Sequence, residues 1–496
     1  MGCRDLITWL DHGCGVQYVY EDLLNLAVEH ALKLGASYAE ARYHRNETTS
    51  IVMREDRVVG TGLEVREGIA VRVLYRGVLA FASTEELNSE SVRKAVEIAI
   101  ARARALESKE FLHGLAPARL GRAKYEVVMR KSFDYEPIDV KISRMKELFR
   151  IAKNSASKAK LSSFAIEYGE SIETKHIVTS DGGDVESTIP RVYMLANIVL
   201  SDPQRGTMQR MIELGASGGL EKVEEWNLPS KISEEVRAIE KMLLEGVAPP
   251  REPVPVVVGS EVVGLIVHES AGHPMEADRV WGREAAQAGE SFVKPDMVGK
   301  ESVGNELATV VDDPTIPGSF GFYLYDDEAV PARPKYIYFR GKLNEMLHNR
   351  WSAFVFGVES NGSARAMDFA SEPIPRMSNT YLTPGDRTFE ELIEDIELGV
   401  YIKSYMEWNI DDVRWGQRYV GLEAYMIRKG ELAEPVRNPV LEITTKSFYS
   451  LIEAKTKEVR FYAGICGKGE PAQGVPVWFG GPDVRLGKIL LGVVPT

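Results

Sequence analysis

The chain has 496 residues, of which 44% are apolar and 27% charged, so it is longer than one ordinary globular core and predicts two or three domains. The net charge of −13, without a dense run of lysine or arginine, argues against nucleic-acid binding. No apolar run approaches the ~20 residues of a membrane span, so we expect no membrane partner.

The N-terminal segment and the cysteines indicate the cellular compartment. Residues 1–15 contain Asp5 and Asp11 and no sustained apolar stretch, unlike a secretory signal. The three cysteines are too few, and odd in number, for a disulfide framework: Cys3, Cys14 and Cys466. We therefore expect a cytoplasmic protein in which Cys3 and Cys14 are incidental.

Residues 1–115 predict an N-terminal α+β domain. Apolar residues at helical spacing predict one helix over 20–35, ending at Gly35, and a second over 89–106. Strand-like segments with charged or glycine turns lie between the two helices, over 37–44, 50–60 and 68–77.

Residues 116–250 predict a central α+β domain. A helix over 139–157 is followed by strands over 164–169, 171–180 and 185–201, with a hairpin turn at residues 180–183. A further helix over 233–244 precedes Gly246, and Ala248-Pro249-Pro250 is typical of a linker.

Residues 251–496 predict a strand-rich C-terminal domain. A buried strand over 254–260 leads into a helix that Ser260 would cap, with Glu261 at its positive end. After residue 300 short strands dominate, interrupted by one helical stretch over 390–397. The fold class is therefore α+β and multidomain, with small α/β units followed by this strand-rich domain.

The segment VHESAGHPMEAD, residues 267–278, carries two histidines, His268 and His273, five residues apart. Zinc-peptidase helices usually space the two histidines by four residues, which places them about 40° apart around the axis. A spacing of five places them about 140° apart, so on a regular helix they could not reach one metal ion. One extra residue in a π-bulge would bring them together.

Two neighbouring residues favour such a distortion. Gly272 relaxes the backbone, and Pro274 lacks an N–H and disfavours helix at the residue before it. We therefore predict that the helix is bulged, or ends, between Ser270 and Pro274. The alternative for the two histidines is an ordinary polar helix end.

A metal site would need a third ligand, for which the sequence offers several candidates: Glu276, Asp278, His348 and Cys466. Glu276 has a second possible role, which is to support His273. Cys466 lies among glycines, and Lys468 could favour its thiolate, although a buried and inert thiol is the ordinary expectation.

Glu269 follows the first histidine directly and suits the role of general base. A catalytic zinc with three protein ligands keeps one position for water and lowers the pKa of that water to about 7. A carboxylate beside the water can accept its proton and pass it to the leaving amine.

Several ordered blocks resemble the TldD/PmbA family of metallopeptidases. In addition to the histidine segment they lie at 63–84, 318–332, 347–353, 361–366, 373–386 and 465–477. The resemblance implies that His268, His273 and Cys466 bind Zn²⁺ and that Glu269 is the general base. It also implies the active TldD branch rather than its inactive PmbA or TldE relative.

The resemblance further implies substrates and partners. Family members cleave unfolded or flexible peptides with little sequence preference and trim leader peptides, as homodimers or as heterodimers with an inactive PmbA/TldE-type relative. Arg376 could bind a peptide carboxylate and Asn379 a peptide backbone, although a satisfied polar network is an equal alternative for both. Arg376 or Arg350 could instead pair with the acidic run Asp326, Asp327 and Glu328.

Two blocks depart from the family pattern. CGKGEPAQG, residues 466–474, is longer than the expected form, and MEWNIDDVRWG, residues 406–416, replaces a glycine-rich stretch. The second departure concerns peptide specificity more than the metal. The functional alternative is a regulatory, protein-binding subunit, such as a modulator of DNA gyrase, with a structural metal or none. The presence of Glu269 beside His268 argues against this alternative, because a structural site needs no general base.

Overall fold

The structure is a computed structural model that describes residues 20–106, 114–284, 289–469 and 472–494. The predictions for residues 1–15, with Cys3 and Cys14, lie outside these ranges. Within them, no helix combines the length and the apolarity that crossing a membrane requires.

The described residues of the N-terminal region form two helices and three strands in the predicted order: α1 (Tyr20–Lys33), β1 (Tyr38–Arg54), β2 (Arg57–Tyr75), β3 (Val78–Thr84) and α2 (Ser89–Leu106). Both predicted helices are confirmed, and Gly35 has a φ of 94°, as expected after a helix end. The strands are longer than predicted. The β1–β2 turn lies at Glu55 and Asp56, inside the predicted segment 50–60. The polar middle of β1 stays extended because β2 and β5 pair with it on both sides.

The central region contains four strands and three helices: β4 (Arg122–Glu126), α3 (Ile138–Ser155), β5 (Lys160–Thr179), β6 (Asp184–Asp202), β7 (Gly206–Ser217), α4 (Leu220–Glu225) and α5 (Leu228–Glu245). The hairpin turn at 180–183 is confirmed, because β5 and β6 pair antiparallel on either side of it. The strands predicted over 164–169 and 171–180 form one continuous strand, and β4, β7 and α4 have no predicted counterpart.

The described residues of the C-terminal region form five α-helices and short strands. The helices are α6 (Ser260–Val267), α7 (Ala277–Trp281), α8 (Arg350–Phe356), α9 (Phe389–Ile393) and α10 (Thr445–Ser450). The strands are β8 (Val254–Val258), β9 (Val310–Asp312), β10 (Lys335–Phe339), β11 (Lys342–Leu343), β12 (Ala364–Arg365), β13 (Ile374–Pro375), β14 (Asn379–Leu382), β15 (Leu398–Ile402), β16 (Tyr405–Ile410), β17 (Gly416–Gly421), β18 (Ala424–Arg428), β19 (Glu431–Pro435), β20 (Pro439–Thr444), β21 (Ile452–Lys455), β22 (Arg460–Lys468), β23 (Gln473–Gly481), β24 (Val484–Ile489) and β25 (Gly492–Val493).

The N-terminal and central regions share one sheet. Its strand order is β3-β2-β1-β5-β6-β4, with β7 also paired to β6. The C-terminal strands form two six-stranded sheets, β11-β10-β9-β14-β23-β22 and β19-β18-β15-β8-β24-β21, with a four-stranded sheet β16-β17-β20-β25 and the pair β12-β13. The α+β, multidomain class is therefore confirmed, whereas the boundaries at 115 and 250 stay a prediction.

The two faces of the shared sheet differ in chemistry. On one face, alternate residues of β1 enter two apolar cores, Ala39 and Ala41 against α1 and α2, and Ile51 and Met53 against α3 and α5. On the other face Glu40, Arg42 and Arg72 are buried against the C-terminal region. Arg72 forms ion pairs with both Glu40 and Glu328, so charged groups connect the shared sheet to the domain that carries the metal-ligand candidates.

The predicted cap of α6 is wrong. The N-cap residue is Gly259, and the Ser260 side chain makes no capping bond. Instead, the Ser260 N–H donates to Asp483 Oδ1 at 2.7 Å, so a carboxylate from a distant strand connection satisfies the helix start. A Cβ at Gly259 would lie 2.5 Å from the Lys403 carbonyl oxygen, which explains a glycine at this close approach.

Candidate metal centre

The helix that carries the histidines changes its hydrogen bonding at the first of them. After α6, residues His268–Gly272 form a π-helical turn, in which the His273 N–H donates to the His268 carbonyl five residues earlier. A 3₁₀ turn over His273–Met275 follows. The predicted distortion between Ser270 and Pro274 is therefore confirmed, and it places the two imidazole ring centres 4.9 Å apart.

The carbonyl that Pro274 cannot bond has another donor. In a regular α-helix the Ser270 carbonyl would accept the N–H of residue 274, which proline lacks. The Tyr338 hydroxyl donates to this carbonyl at 2.6 Å instead. A buried side chain from β10 thus stabilises the distorted turn.

Gly272 packs closely against Met377. A Cβ at this position would lie 1.8 Å from the Met377 Sδ, so no larger side chain fits without displacement of Met377. The φ of Gly272 is −61°, which any residue can adopt. The predicted reason for this glycine, a relaxed backbone, is therefore not supported. The close approach of Met377 is the reason that the structure gives, and Met377 is distant in sequence.

Cys466 lies close to the two histidines. It lies on β22, and the candidate ligand atoms of His268, His273 and Cys466 all lie within 4.8 Å of one another. The Cys466 Sγ is 3.5 Å from His273 Nε2. Sulfur and nitrogen atoms bound to one tetrahedral zinc lie roughly 3.6 Å apart, so the geometry fits such an ion.

The protonation of the three groups also fits a metal. Burial lowers the pKa of His268 and of His273, which keeps both imidazoles neutral with a lone pair available. Burial raises the pKa of the Cys466 thiol, but nearby groups, among them the Arg376 guanidinium, lower it by more, so the thiol pKa lies below its ordinary value. His268 Nδ1 is buried without a hydrogen-bond partner in the described ranges, and a bound ion is one group that could satisfy this imidazole.

Glu276 orients His273, which was one of its two predicted roles. Its Oε2 lies 3.1 Å from His273 Nδ1, and because an ionised carboxylate only accepts, Nδ1 carries the proton and Nε2 faces Cys466. Burial raises the pKa of Glu276, but Lys468 and His273 hold it well below the usual carboxyl value.

The remaining ligand candidates have other partners. Asp278 accepts a hydrogen bond from the Lys468 ammonium at 2.8 Å. Lys468 therefore neutralises carboxylates, and the cation that favours the Cys466 thiolate is Arg376 rather than the predicted Lys468. His348 lies outside the cluster, with its Nδ1 3.1 Å from Ser352 Oγ, and burial lowers its pKa to about 4.

Glu269 is buried beside His268 and forms an ion pair with Arg414. Arg414 lies in the turn between β16 and β17, within the stretch that departs from the glycine-rich family pattern. No local sequence pattern indicates a functional role for Arg414. Its only signal was that departure.

Arg376 and Asn379, the predicted substrate-binding residues, are fully buried. Arg376 donates to the Cys466 and Gln473 carbonyls, which holds the strand that carries the cysteine. Asn379 donates to the Asp313 carbonyl and to Ser319 Oγ. These contacts favour the alternative of a satisfied polar network, and a substrate role stays a prediction.

The acidic run has partners other than those proposed from the sequence. Asp327 pairs with Lys175 at 2.9 Å, and Glu328 pairs with Arg72. Asp326 accepts backbone N–H groups, including that of Val330 at 2.9 Å. Arg376 takes no part in these contacts, whereas Arg350 donates its backbone N–H to Glu328 at 2.6 Å and its guanidinium also stabilises the Glu328 carboxylate electrostatically.

Family models match the chain from its N-terminal region to its C-terminal strands. Domain 1 of the PmbA/TldA metallopeptidases matches residues 39–103, the central domain 131–244 and the C-terminal domain 251–492. A metalloprotease of Methanocaldococcus jannaschii is 30% identical over 467 residues, which cover 93% of this chain and 99% of that protein. This chain belongs to the PmbA/TldD family of metallopeptidases.

A further relative agrees with this assignment, and solved structures share the fold. A zinc metalloprotease TldD homolog of Saccharolobus solfataricus is 26% identical and covers 94% of this chain and 98% of its own length. TldE from Thermococcus kodakarensis has the same fold, with a TM-score of 0.73 at 16% identity, over 95% of this chain and 99% of that one. A Thermotoga maritima protein described as a candidate modulator of a DNA gyrase also has a TM-score of 0.73, at 19% identity, over 96% of this chain and 100% of that one.

Proposed function

We propose that this chain is a zinc peptidase of the catalytic TldD type, which hydrolyses unfolded or flexible peptides, including leader peptides, with little sequence preference. The observation that carries the proposal is the convergence of His268, His273 and Cys466, with Glu269 next to His268. Two imidazoles and a thiolate suit zinc among the common metals. The name of the Saccharolobus relative is consistent with that metal.

The number of donors favours catalysis over a structural role. In the described ranges the cluster offers three protein ligands, as catalytic zinc sites do, whereas closed structural sites use four. When bound, zinc would supply a Lewis acid that polarises the peptide carbonyl and acidifies water. Glu269 would accept the proton of the attacking water and deliver it to the leaving amine.

The position of Cys466 supports the binding of extended peptides. Its strand, β22, is the last strand of its sheet, and the side chain of Ile465, next to the cysteine, is 51% exposed. A peptide added along such an edge would be held by main-chain hydrogen bonds. Because backbone groups are the same in every peptide, this mode of binding would give little sequence preference.

The partner of the chain is also a proposal. We expect a dimer, either of two copies or with an inactive PmbA/TldE-type relative, and no nucleic-acid or membrane partner. A cytoplasmic location is likewise proposed. Light scattering of the purified chain, alone and mixed with a TldE-type protein of the same source, distinguishes the two assemblies, and a monomer in both samples would contradict the proposal.

The decisive experiment compares wild type with Glu269→Gln. We expect about one zinc per chain in both proteins, and a kcat on a disordered peptide that is about 10²–10⁴-fold lower in the variant, since proton transfer is lost. Hydrolysis is followed by mass spectrometry, with chelation and zinc re-addition as a second test. Glu431→Gln, at an exposed site on β19, is the matched control.

Two results would contradict the proposal. Undiminished cleavage by Glu269→Gln would reject the general base. Zinc-loaded wild type without hydrolysis of any disordered peptide would favour the regulatory alternative.

A further inference from the structure

Glu269, the proposed general base, has a buried cationic partner in the turn between β16 and β17. The Arg414 Nη1 forms an ion pair with Glu269 Oε2, and the two side chains are only 11% and 4% exposed. A carboxylate buried to this degree is stable only with a compensating charge or hydrogen bonds. Arg414 provides that charge for Glu269, the residue that would transfer the proton in the proposed reaction.

The turn that carries Arg414 is rigidly held. The Asp411 carboxylate accepts the N–H groups of Trp415 and Gly416, and the Thr445 hydroxyl donates to the Arg414 carbonyl at 2.9 Å. Phe292 packs edge-on against Trp415, with ring centres 5.0 Å apart. The guanidinium therefore reaches Glu269 from a fixed support.

The backbone at Arg414 indicates a specific requirement. Its φ is 66°, in the left-handed region that glycine adopts at lower energy than arginine. The family resemblance leads us to expect glycines in this stretch. Arginine at residue 414 instead adopts an unfavourable φ and forms a buried ion pair. The shape of the turn alone does not require arginine at this position, because glycine can adopt the same backbone conformation.

We infer that Arg414 is a positioning residue that fixes the direction of the Glu269 carboxylate beside the metal ligands. Glu269 has three rotatable side-chain bonds, and a misplacement of about 1 Å in a reacting group can cost about 10²-fold in rate. This inference rests on the proposed function, because it gives Arg414 a role only if Glu269 acts as the base.

The test uses Arg414→Gly in the full-length, zinc-loaded protein, since glycine accepts the positive φ and retains the carbonyl that Thr445 bonds. We expect kcat to fall about 10²-fold, KM to change less than about threefold, and zinc content to stay equal to wild type. Added guanidinium should restore part of kcat, which a merely structural role would not produce. Arg414→Lys should retain more activity than Arg414→Gly, because lysine keeps the positive charge. The matched control is Arg418→Ala, which removes a half-exposed arginine of the same hairpin.

A double variant separates this inference from the proposed function. On a Glu269→Gln background, Arg414→Gly should cause little further loss, because both changes remove one function. If Glu269→Gln is inactive while Arg414→Gly retains the wild-type kcat, or exceeds it, the inference is wrong and the proposed function stands. If Arg414→Gly fails to fold, the same comparison is made with Arg414→Asn, which tolerates the positive φ but lacks the charge, and unchanged kcat in that variant would overturn the inference. Full activity of Glu269→Gln would overturn both.

Discussion

At the scale of single residues, the candidate centre depends on groups that set the state of its ligands. Glu276 fixes the proton of His273 on Nδ1, and Arg376 lies beside Cys466 and bonds its carbonyl. Lys468 and Arg279 in turn lie within 3.4 Å of Glu276. The ligands are thus oriented by a buried network of charges whose members come from separate parts of the chain.

Glu276→Gln tests this orientation. A neutral amide is a weaker acceptor for the His273 N–H, so we expect zinc affinity to fall about 10–100-fold while the fold is retained. The measurement is a competition titration against a zinc chelator, with circular dichroism as the check on folding. Glu431→Gln serves as control, and equal affinities in all three proteins would show that Glu276 does not tune the site.

At the scale of elements, the distorted helix end is specified partly by local and partly by distant residues. Pro274 prevents regular hydrogen bonding, and this effect was predictable because it acts on the adjacent turn. The Tyr338 hydroxyl that replaces the missing bond, and the Met377 side chain that excludes a Cβ at Gly272, lie on other elements. Sequence spacing could indicate a π-turn but not what stabilises it.

Gly272→Ala probes the packing of this turn. The added methyl would overlap the Met377 Sδ, and we expect a loss of about 1–3 kcal/mol in the free energy of unfolding. Met377→Ala alone should also destabilise, by about 2–5 kcal/mol, because it opens a cavity. In the double variant the losses should be smaller than their sum by at least about 1 kcal/mol, as measured by urea denaturation. Strict additivity would mean that the two side chains do not compete for space.

At the scale of the whole molecule, buried charges join the shared sheet to the C-terminal region. Arg72 is 1% exposed and pairs with Glu40 of the same sheet and with Glu328 of the C-terminal region. Arg42 of the same face donates to the Ser371 carbonyl at 2.7 Å. Alternation along β1 and β2 could predict which residues share a face, but it could not predict that the charged face is buried.

Arg72→Met should destabilise the molecule strongly. The change leaves Glu40 and Glu328 without their buried partner, and we expect a cost of about 3–5 kcal/mol. Arg66→Met is the matched control, because Arg66 also joins β2 to the C-terminal region, through an ion pair with Asp368. The Arg66 side chain is 47% exposed, so we expect its substitution to cost less than about 1 kcal/mol. Both are measured by denaturant unfolding, and similar small costs for the two variants would contradict the assigned role of Arg72.

Features that depend on neighbouring residues could be predicted from the sequence: the helices α1, α2 and α3, the hairpin turn at 180–183, and the helix distortion predicted between Ser270 and Pro274. Periodicity and proline chemistry act over a few residues, so they can be recognised without a structure. The family resemblance added Cys466, which no local pattern could select over Asp278 or His348.

The tertiary structure was needed to show which groups distant in sequence lie in contact. Cys466 and His273 are separated by 193 positions, and Arg414 and Glu269 by 145. It also showed that β1 and β5 belong to one sheet across the predicted domain boundary, and that Asp483 rather than Ser260 satisfies the start of α6. Such contacts form because packing brings buried charges and unpaired backbone groups to the partners that stabilise them, and a partner distant in sequence leaves no trace in the local pattern.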